Sequence, residues 1–390
     1  VSCGSVKSGE EAIAASRESK VVVAYVTSWS EVMPDPQYMT HINYAFGHVN
    51  ESFNGVKIDN EERLRQIVDL RKQKPELKVL LSIGGWGSGR FSEMAANDEY
   101  RRAFAADCDR VVKEFALDGI DIDWEYPTSS MANISSSPDD TENFTLLMQD
   151  IRAAIGNEKE LTLATVASAR YIDFKAILPS VDFVNIMAYD MASAPKHHSA
   201  LYPSGHSGDI TSDGAVTAHL KAGVPPSKLV MGMPFYGRGG DGYPSFQDYN
   251  KVGNTDTQYT EKWDEVAQVP YLADKNDTLV FGFENPRSLA IKCQYILDKD
   301  LLGGMYWDYS GDNEQGDLRR TVAENLLGKP HKAKVLVLTE RGGQHGGFTD
   351  AGLRWLAAEG AKGNFSITEI NNARNITEAY LSPVSYTHLR

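Results

Sequence analysis

Asp118-Gly119-Ile120-Asp121-Ile122-Asp123-Trp124-Glu125, continued by Tyr126-Pro127, sets four carboxylates into eight residues of otherwise strand-like sequence. Side chains alternate between the two faces of a β-strand, so Asp121, Asp123 and Glu125 share one face while Ile120, Ile122 and Trp124 share the other. A solvated acidic edge strand would have no need of so apolar a second face. Acids this close cannot all ionise at neutral pH. At least one pKa is therefore expected to rise and leave a protonated carboxyl, as a general acid requires. A calcium loop of EF-hand type, counted from Asp121, needs Gly sixth and Glu twelfth, but the chain has Tyr126 and Ala132 there.

On both sides of this stretch, apolar strand-like runs alternate with helical patterns, the signature of a parallel sheet with helices outside. The strands are expected at Lys20 to Thr27, Ile42 to His48, Lys78 to Gly84, Gly119 to Glu125, Leu161 to Ala167, Val181 to Tyr189, Leu229 to Phe235 and Leu302 to Trp307. Between the fourth and fifth, Phe144, Leu147, Met148, Ile151 and Ile155 recur at helical spacing after Ser137-Pro138-Asp139, which reads as a capped start. Eight units over roughly 300 residues predict an α/β fold, a (β/α)8 TIM barrel with insertions, whose active site lies at the carboxyl ends of the strands.

The motifs fall at those ends. Ser82-Ile83-Gly84-Gly85-Trp86 closes the third strand, Met187-Ala188-Tyr189-Asp190 the sixth, Met233-Pro234-Phe235-Tyr236-Gly237-Arg238 the seventh, and Gly304-Met305-Tyr306-Trp307 the eighth. With Asp118 to Glu125 they resemble, in order and spacing, the motifs of glycoside hydrolase family 18, the chitinase family, over about residues 20 to 328. The resemblance implies that Glu125 protonates the glycosidic oxygen and that the substrate's own acetamido oxygen, not a second carboxylate, attacks the anomeric carbon. It implies that Asp123 orients the acetamido group and stabilises an oxazolinium intermediate. Asp121 would modulate the shared proton and Tyr189 would donate its hydroxyl to the acetamido oxygen. Tyr25 and Ser82 would support the two aspartates, while Trp307 would floor the reacting sugar and Trp86 would offer it a second apolar ring. Asp190 and Arg238 would be polar contacts. Phe46, Gly85, Trp124, Met187 and Tyr236 complete the substrate-binding set the resemblance implies. No cofactor and no metal are called for.

Composition sets outer limits on this reading. The chain has 390 residues, 42% hydrophobic and 24% charged, ordinary for a soluble globular protein. A formal charge of -14 argues against a nucleic-acid partner and is compatible with a neutral or cationic polymer. No run is long enough for a transmembrane helix. Cys3, Cys108 and Cys293 have no metal-ligand spacing, and the latter two fall in helical patterns as small buried hydrophobes. Val1-Ser2-Cys3-Gly4-Ser5 resembles the remnant of a bacterial lipoprotein signal. That resemblance implies a lipid anchor at Cys3, a polar tether over residues 1–18 and a secreted or cell-surface protein, against the alternative of an accidental cysteine near a trimmed end.

The catalytic barrel is expected over residues 19–328. Within it, Gly239 to Glu284 reads either as a reduced version of the α+β insertion found in larger family members or as a structured loop with packed aromatics. His197, His198 and His206 lack an accompanying ligand at metal-binding spacing, and Asp312 to Asp317 reads as a polar turn. Residues 329–390 open a new pattern: a strand at Lys334 to Thr339, a Gly-rich loop at 341–347 and a helix from Ala351 to Ala358. This piece has some similarity to a trehalose-utilisation-type glutamine-amidotransferase-like domain, and it stops before such a domain could bury a core. The expected partners are chitin or N-acetylglucosamine oligosaccharides. Two other functions share the barrel: an endo-β-N-acetylglucosaminidase acting on N-glycan cores and a non-catalytic chitin-binding lectin. Trp124 and the motifs at Met187 to Asp190 and Met233 to Arg238 tilt the first comparison toward chitinase, and the presence of Glu125 tells against the lectin.

Overall fold

Strands form where the apolar runs place them. In chain order they are β1 (Val21–Thr27), β2 (His41–Val49), a short β3 (Val56–Ile58), β4 (Lys78–Gly84), β5 (Gly119–Asp123), β6 (Glu160–Val166), β7 (Phe183–Met187) and β8 (Leu229–Pro234). After β9 (Tyr236–Gly239), β10 (Gln247–Asp248), β11 (Thr260–Asp264), β12 (Val269–Ala273) and β13 (Leu279–Gly282), β14 (Gly303–Trp307) supplies the eighth barrel strand. The computed structural model describes residues 20–240, 242–252, 258–328, 333–339, 349, 351–356 and 365–370. Cys3 with its tether, the Gly-rich loop at 341–347 and the last residues from Ser385 lie outside them.

The sheet runs β1-β14-β8-β7-β6-β5-β4-β2, every neighbour parallel, and a further parallel pairing of β1 with β2 closes it. This is a closed (β/α)8 barrel. Around it lie α1 (Glu61–Val68), α2 (Phe91–Ala96), α3 (Asp98–Glu114), α4 (Asp140–Ile155), α5 (Phe174–Ile177), α6 (Ser212–Lys221), α7 (Pro286–Asp298) and α8 (Asp317–Leu326). The outward faces of the strands, with Ile120 and Ile122 of β5 among them, join one large buried cluster with residues such as Phe104, Leu147, Ile296 and Val322 of the helices. In α4 the residues at helical spacing, from Phe144 to Ile155, are the buried ones. Its start differs from the expectation: Asp139 makes no side-chain cap. The buried Asp140 instead accepts from the backbone N–H of Ser137 (2.7 Å) and Thr128 (3.1 Å) and from the Ser92 hydroxyl (2.7 Å).

Inside the barrel the apolar cluster is small, holding Val23, Tyr25, Ala45, Phe46, Phe183, Val230 and Met305. Much of the remaining interior is polar and buried, including Asn43, Ser82, Asp121, Thr162 and Asn185. Polar side chains in such a place need partners or a function.

The stretch after β8 is an inserted sheet, not an irregular loop: β10-β9-β13-β12-β11, antiparallel throughout. Residues 328–390 form a second unit, in which β15 (Ala333–Leu338) pairs in parallel with β16 (Phe365–Ile370) and residues 351–356 are helical between them. No helix among the described residues is long and apolar enough to cross a membrane.

Candidate active site

The parallel register puts Ser82 of β4 and Thr162 of β6 on either side of Asp121. Asp121 is wholly buried. One carboxylate oxygen accepts from the Tyr25 hydroxyl (2.8 Å) and the Ser82 hydroxyl (2.8 Å), the other from Thr162 (2.6 Å) and the Asn185 amide (3.3 Å). Burial pushes its carboxyl above the usual range and the four donors pull it back part of the way. Asp121 is thus a fixed post beneath the site rather than a group that meets substrate.

Asp123, two residues on, is also buried, but its Oδ1 has no hydrogen-bond partner. Its carboxyl is driven well above the ordinary value by burial, then by the nearby charges of Glu125 and Asp121. The turn after β4 holds its backbone. The Gly85 N–H donates to the Asp123 carbonyl at 2.9 Å, and at Gly84, with φ of 130°, a Cβ would stand 1.9 Å from that same oxygen. Only glycine permits this approach.

β5 ends at Asp123, two residues short of the expected boundary, so Glu125 stands just beyond the ladder. Burial raises its pKa to about 7, the Tyr126 hydroxyl bond opposes the rise, and the charge of Asp190 adds to it. A carboxyl that is half protonated near neutrality is fit to give and take back a proton. The Tyr189 phenol is held neutral by burial and by Asp123 and Glu125, which leaves it a hydrogen-bond donor.

These groups open into a cleft of about 780 Å³. Of the residues expected to touch substrate, Tyr25, Phe46, Trp86, Met187, Asp190, Tyr236, Arg238 and Trp307 line it together with Asp123, Glu125 and Tyr189. Trp307 lies on the ring of Phe46 at 5.5 Å and 21° and meets Tyr25 at 5.6 Å. Arg238 clasps Asp190 with two bonds of 2.7 Å. Partial burial pushes the Asp190 carboxyl up, but Arg238 and His198 outweigh it and hold the group well below the usual carboxylate range.

Two expectations need correction. Trp124 does not face the cleft: it is 2% exposed and stacked on Phe91 at 5.3 Å, with Phe144 at 6.0 Å, in the outer core. Strand alternation sends it away from its acidic neighbours. Ser82 is fully buried against Asp121, so it supports the site from below, as expected, and is not one of the residues lining the cleft. Gly85 lies outside the main cleft, in an adjoining pocket, and acts through its backbone.

Cleft residues that the sequence reading missed include Trp29, Tyr126, Tyr171 and Phe246. Tyr126 follows Glu125 directly and stacks on Tyr171 at 5.5 Å, while Phe246 comes from the inserted segment and stacks on Tyr236 at 4.7 Å.

Residues 21–312 match the family described as glycosyl hydrolases family 18. The chain belongs to this family. It is therefore a glycoside hydrolase. Chitotriosidase-1 of Mus musculus is 31% identical over 76% of this chain and 74% of its own length. Chitinase A1 of Niallia circulans is 29% identical over 78% of this chain, a match spanning 58% of that protein. The structure of a family 18 N-acetylglucosaminidase from Paenibacillus barengoltzii superposes with a TM-score of 0.73 and 32% identity, covering 78% of this chain and 99% of that one.

In this family 18 chain two of the three histidines after β7 are tied to carboxylates. His197 Nε2 lies 3.2 Å from Asp264 of β11, and His198 Nδ1 lies 3.5 Å from Asp190. Among the described residues no cluster of three or more His, Cys, Asp or Glu could hold a metal ion. The turn at Asp312 is a structural knot in which its carboxylate accepts from the backbone of Asn313, Leu318 and Arg319.

Proposed function

We propose that this protein is a chitinase, hydrolysing β-1,4-linked N-acetylglucosamine polymers with retention of configuration through the substrate's acetamido group. Glu125 is the general acid that protonates the leaving oxygen and then the base that activates water. Asp123 and Tyr189 hold the acetamido N–H and oxygen, and the charge of Asp121 beneath raises the Asp123 carboxyl and so modulates the proton shared with Glu125.

The observation that carries this reading is the unpartnered Oδ1 of Asp123, buried beside a neutral Tyr189 and a Glu125 poised near pH 7. A buried acceptor without a partner is costly, and a substrate N–H relieves that cost. Asp190, the other carboxylate in the cleft, is occupied by Arg238 and held ionised, so it fits a binding role better than that of a nucleophile. A barrel built for an extracellular polymer also fits an exported protein.

The test is substrate assistance itself. N-acetylglucosamine oligosaccharides should yield β-anomeric products in early proton NMR spectra. Cello-oligosaccharides, which share the linkage and the sugar faces but lack the acetamido group, should not be cut. A thiazoline mimic of the oxazoline should inhibit strongly, since it resembles the intermediate. Inverted products or comparable cleavage of cello-oligosaccharides would overturn the mechanism.

A further inference from the structure

The wall of the cleft that carries Asp190 is backed by three buried residues of the connection after β7, His197, His198 and Ser199. None of the proposed chemistry uses them. Ser199 is gripped at both polar ends: its hydroxyl donates to Glu284 Oε1 (2.6 Å) and its carbonyl accepts from Lys292 Nζ (2.5 Å). Lys292 of α7 and Glu284, just before that helix, also pair directly, and neither side chain has any exposure to solvent. An ion pair this deep contributes little net stability, because desolvation offsets the attraction, but removal of either partner leaves an unmatched charge at high cost. It acts as a clamp. On the other flank the His197 N–H donates to the His206 carbonyl (2.7 Å), and the His197 imidazole Nε2 lies 3.2 Å from Asp264 of the inserted sheet.

His198 is thus anchored on both sides, and its polar groups turn to Asp190 and the residue after it. Its carbonyl accepts from the Met191 N–H (3.0 Å), while Nδ1 lies 3.4 Å from the Asp190 backbone nitrogen and 3.5 Å from Asp190 Oδ1. In one protonation state this ring nitrogen accepts from the N–H, in the other it donates to the carboxylate, and either contact holds residue 190. Nε2 has no hydrogen-bond partner among the described residues. Asp190 needs such a hold. Its φ of 53° lies in the left-handed region, where a residue other than glycine stays when its surroundings fix it. Arg238 fixes the carboxylate from the cleft side, and His198 meets both carboxylate and backbone from behind.

We propose that His198 is a positioning residue for substrate binding: held by the Lys292–Glu284 clamp, it keeps the Asp190 carboxylate where the sugar meets it. The inference rests on the chitinase reading of the cleft.

Two amides separate this role from simple space filling. Counted along the side chain, the Asn amide corresponds to Nδ1 of the ring and the Gln amide to Nε2, while Gln fills the volume of the ring better. With the N-acetylglucosamine tetrasaccharide as substrate, His198→Gln should raise KM about three- to tenfold with kcat changed less than about twofold, and His198→Asn should restore KM to near the native value. In the Asp190→Asn background His198→Gln should raise KM no further, since it acts through Asp190. A Gln variant that equals or outperforms the Asn variant, or effects of His198→Gln and Asp190→Asn that multiply, would overturn the proposal. Where His198→Gln does not fold, Ser199→Ala, which removes only the hydroxyl held by Glu284, raises KM in the same direction or the proposal is wrong. If the native protein leaves the tetrasaccharide uncut, the chitinase reading fails by itself. Crystal structures of the two variants then decide the positioning: Asp190 keeps both bonds to Arg238 and its left-handed backbone in His198→Asn and loses one or both in His198→Gln, or the inference falls.

Discussion

The end of β5 and the wall formed after β7 and β9 face the same cleft, and each presents carboxylates, yet they are tuned in opposite directions. At β5, Asp123 and Glu125 are buried with no cation to pair with, and both are pushed up, Glu125 to about 7. Across the cleft Asp190 is clasped by Arg238 and flanked by His198, and is held well below the ordinary range. Surroundings, not residue type, assign the roles. Carboxyls kept off their charge can move protons, while a carboxylate locked to a guanidinium can only accept hydrogen bonds and hold a wall in place.

The contrast breaks most sharply at Glu125. Glu125→Gln keeps the shape and hydrogen bonding but has no proton to transfer, so kcat should fall roughly 10²–10⁴-fold while oligosaccharide binding measured by calorimetry persists. Near-native turnover would remove Glu125 from its role.

Asp123→Asn should cost less, on the order of 10²-fold in kcat, because the proton donor survives while the charge facing the intermediate is lost. The pH profile adds a sign. Glu125 must be protonated to act as the acid, so activity falls as pH rises through about 7. The charge of Glu125 raises Asp123, so the two carboxyls titrate as a coupled pair. Asp123→Asn removes that coupling and should displace the alkaline limb. A change confined to KM, with the limb unmoved, would reduce Asp123 to a binding residue.

The smallest effect is expected on the opposite wall. Asp190→Asn leaves Arg238 without its bidentate partner and removes a charge that lifts Glu125. KM should rise by roughly tenfold or less. The alkaline limb should shift to lower pH, since the charge of Asp190 raises Glu125. A loss of kcat as large as that of Glu125→Gln would mean that the two carboxylate groups are not divided as described.

Trp124 and Tyr126, on either side of Glu125, show where the reading of the sequence stops. The alternation through Ile120, Ile122 and Trp124 places the indole opposite the acids, and the structure buries it there against Phe91. Its inclusion among substrate contacts followed family resemblance rather than the strand geometry. Tyr126 lies past the end of the strand, where no period constrains direction, and only the fold aims its hydroxyl at Glu125 and its ring at Tyr171. Thr162 and Asn185, which complete the cage around Asp121, carry no motif. They are found only through the register of β6 and the neighbouring strand β7.

The sequence by itself determined the eight strands, their parallel arrangement and the placing of Asp121, Asp123 and Glu125 at the end of one of them, because period-two patterning and loop motifs are local properties of the chain. Tertiary structure alone decided that the segment after β8 folds as an antiparallel sheet. It also decided that Asp121 is saturated with donors while Asp123 keeps one oxygen unpartnered, and that Glu125 and Asp190 titrate on opposite sides of the ordinary carboxylate range. The physical reason is that burial and charge pairing are set by groups tens of residues away in the chain. Asp190 and Arg238 are 48 positions apart, and Tyr25 and Asp121 are 96. Only closure of the barrel brings such pairs within hydrogen-bonding distance.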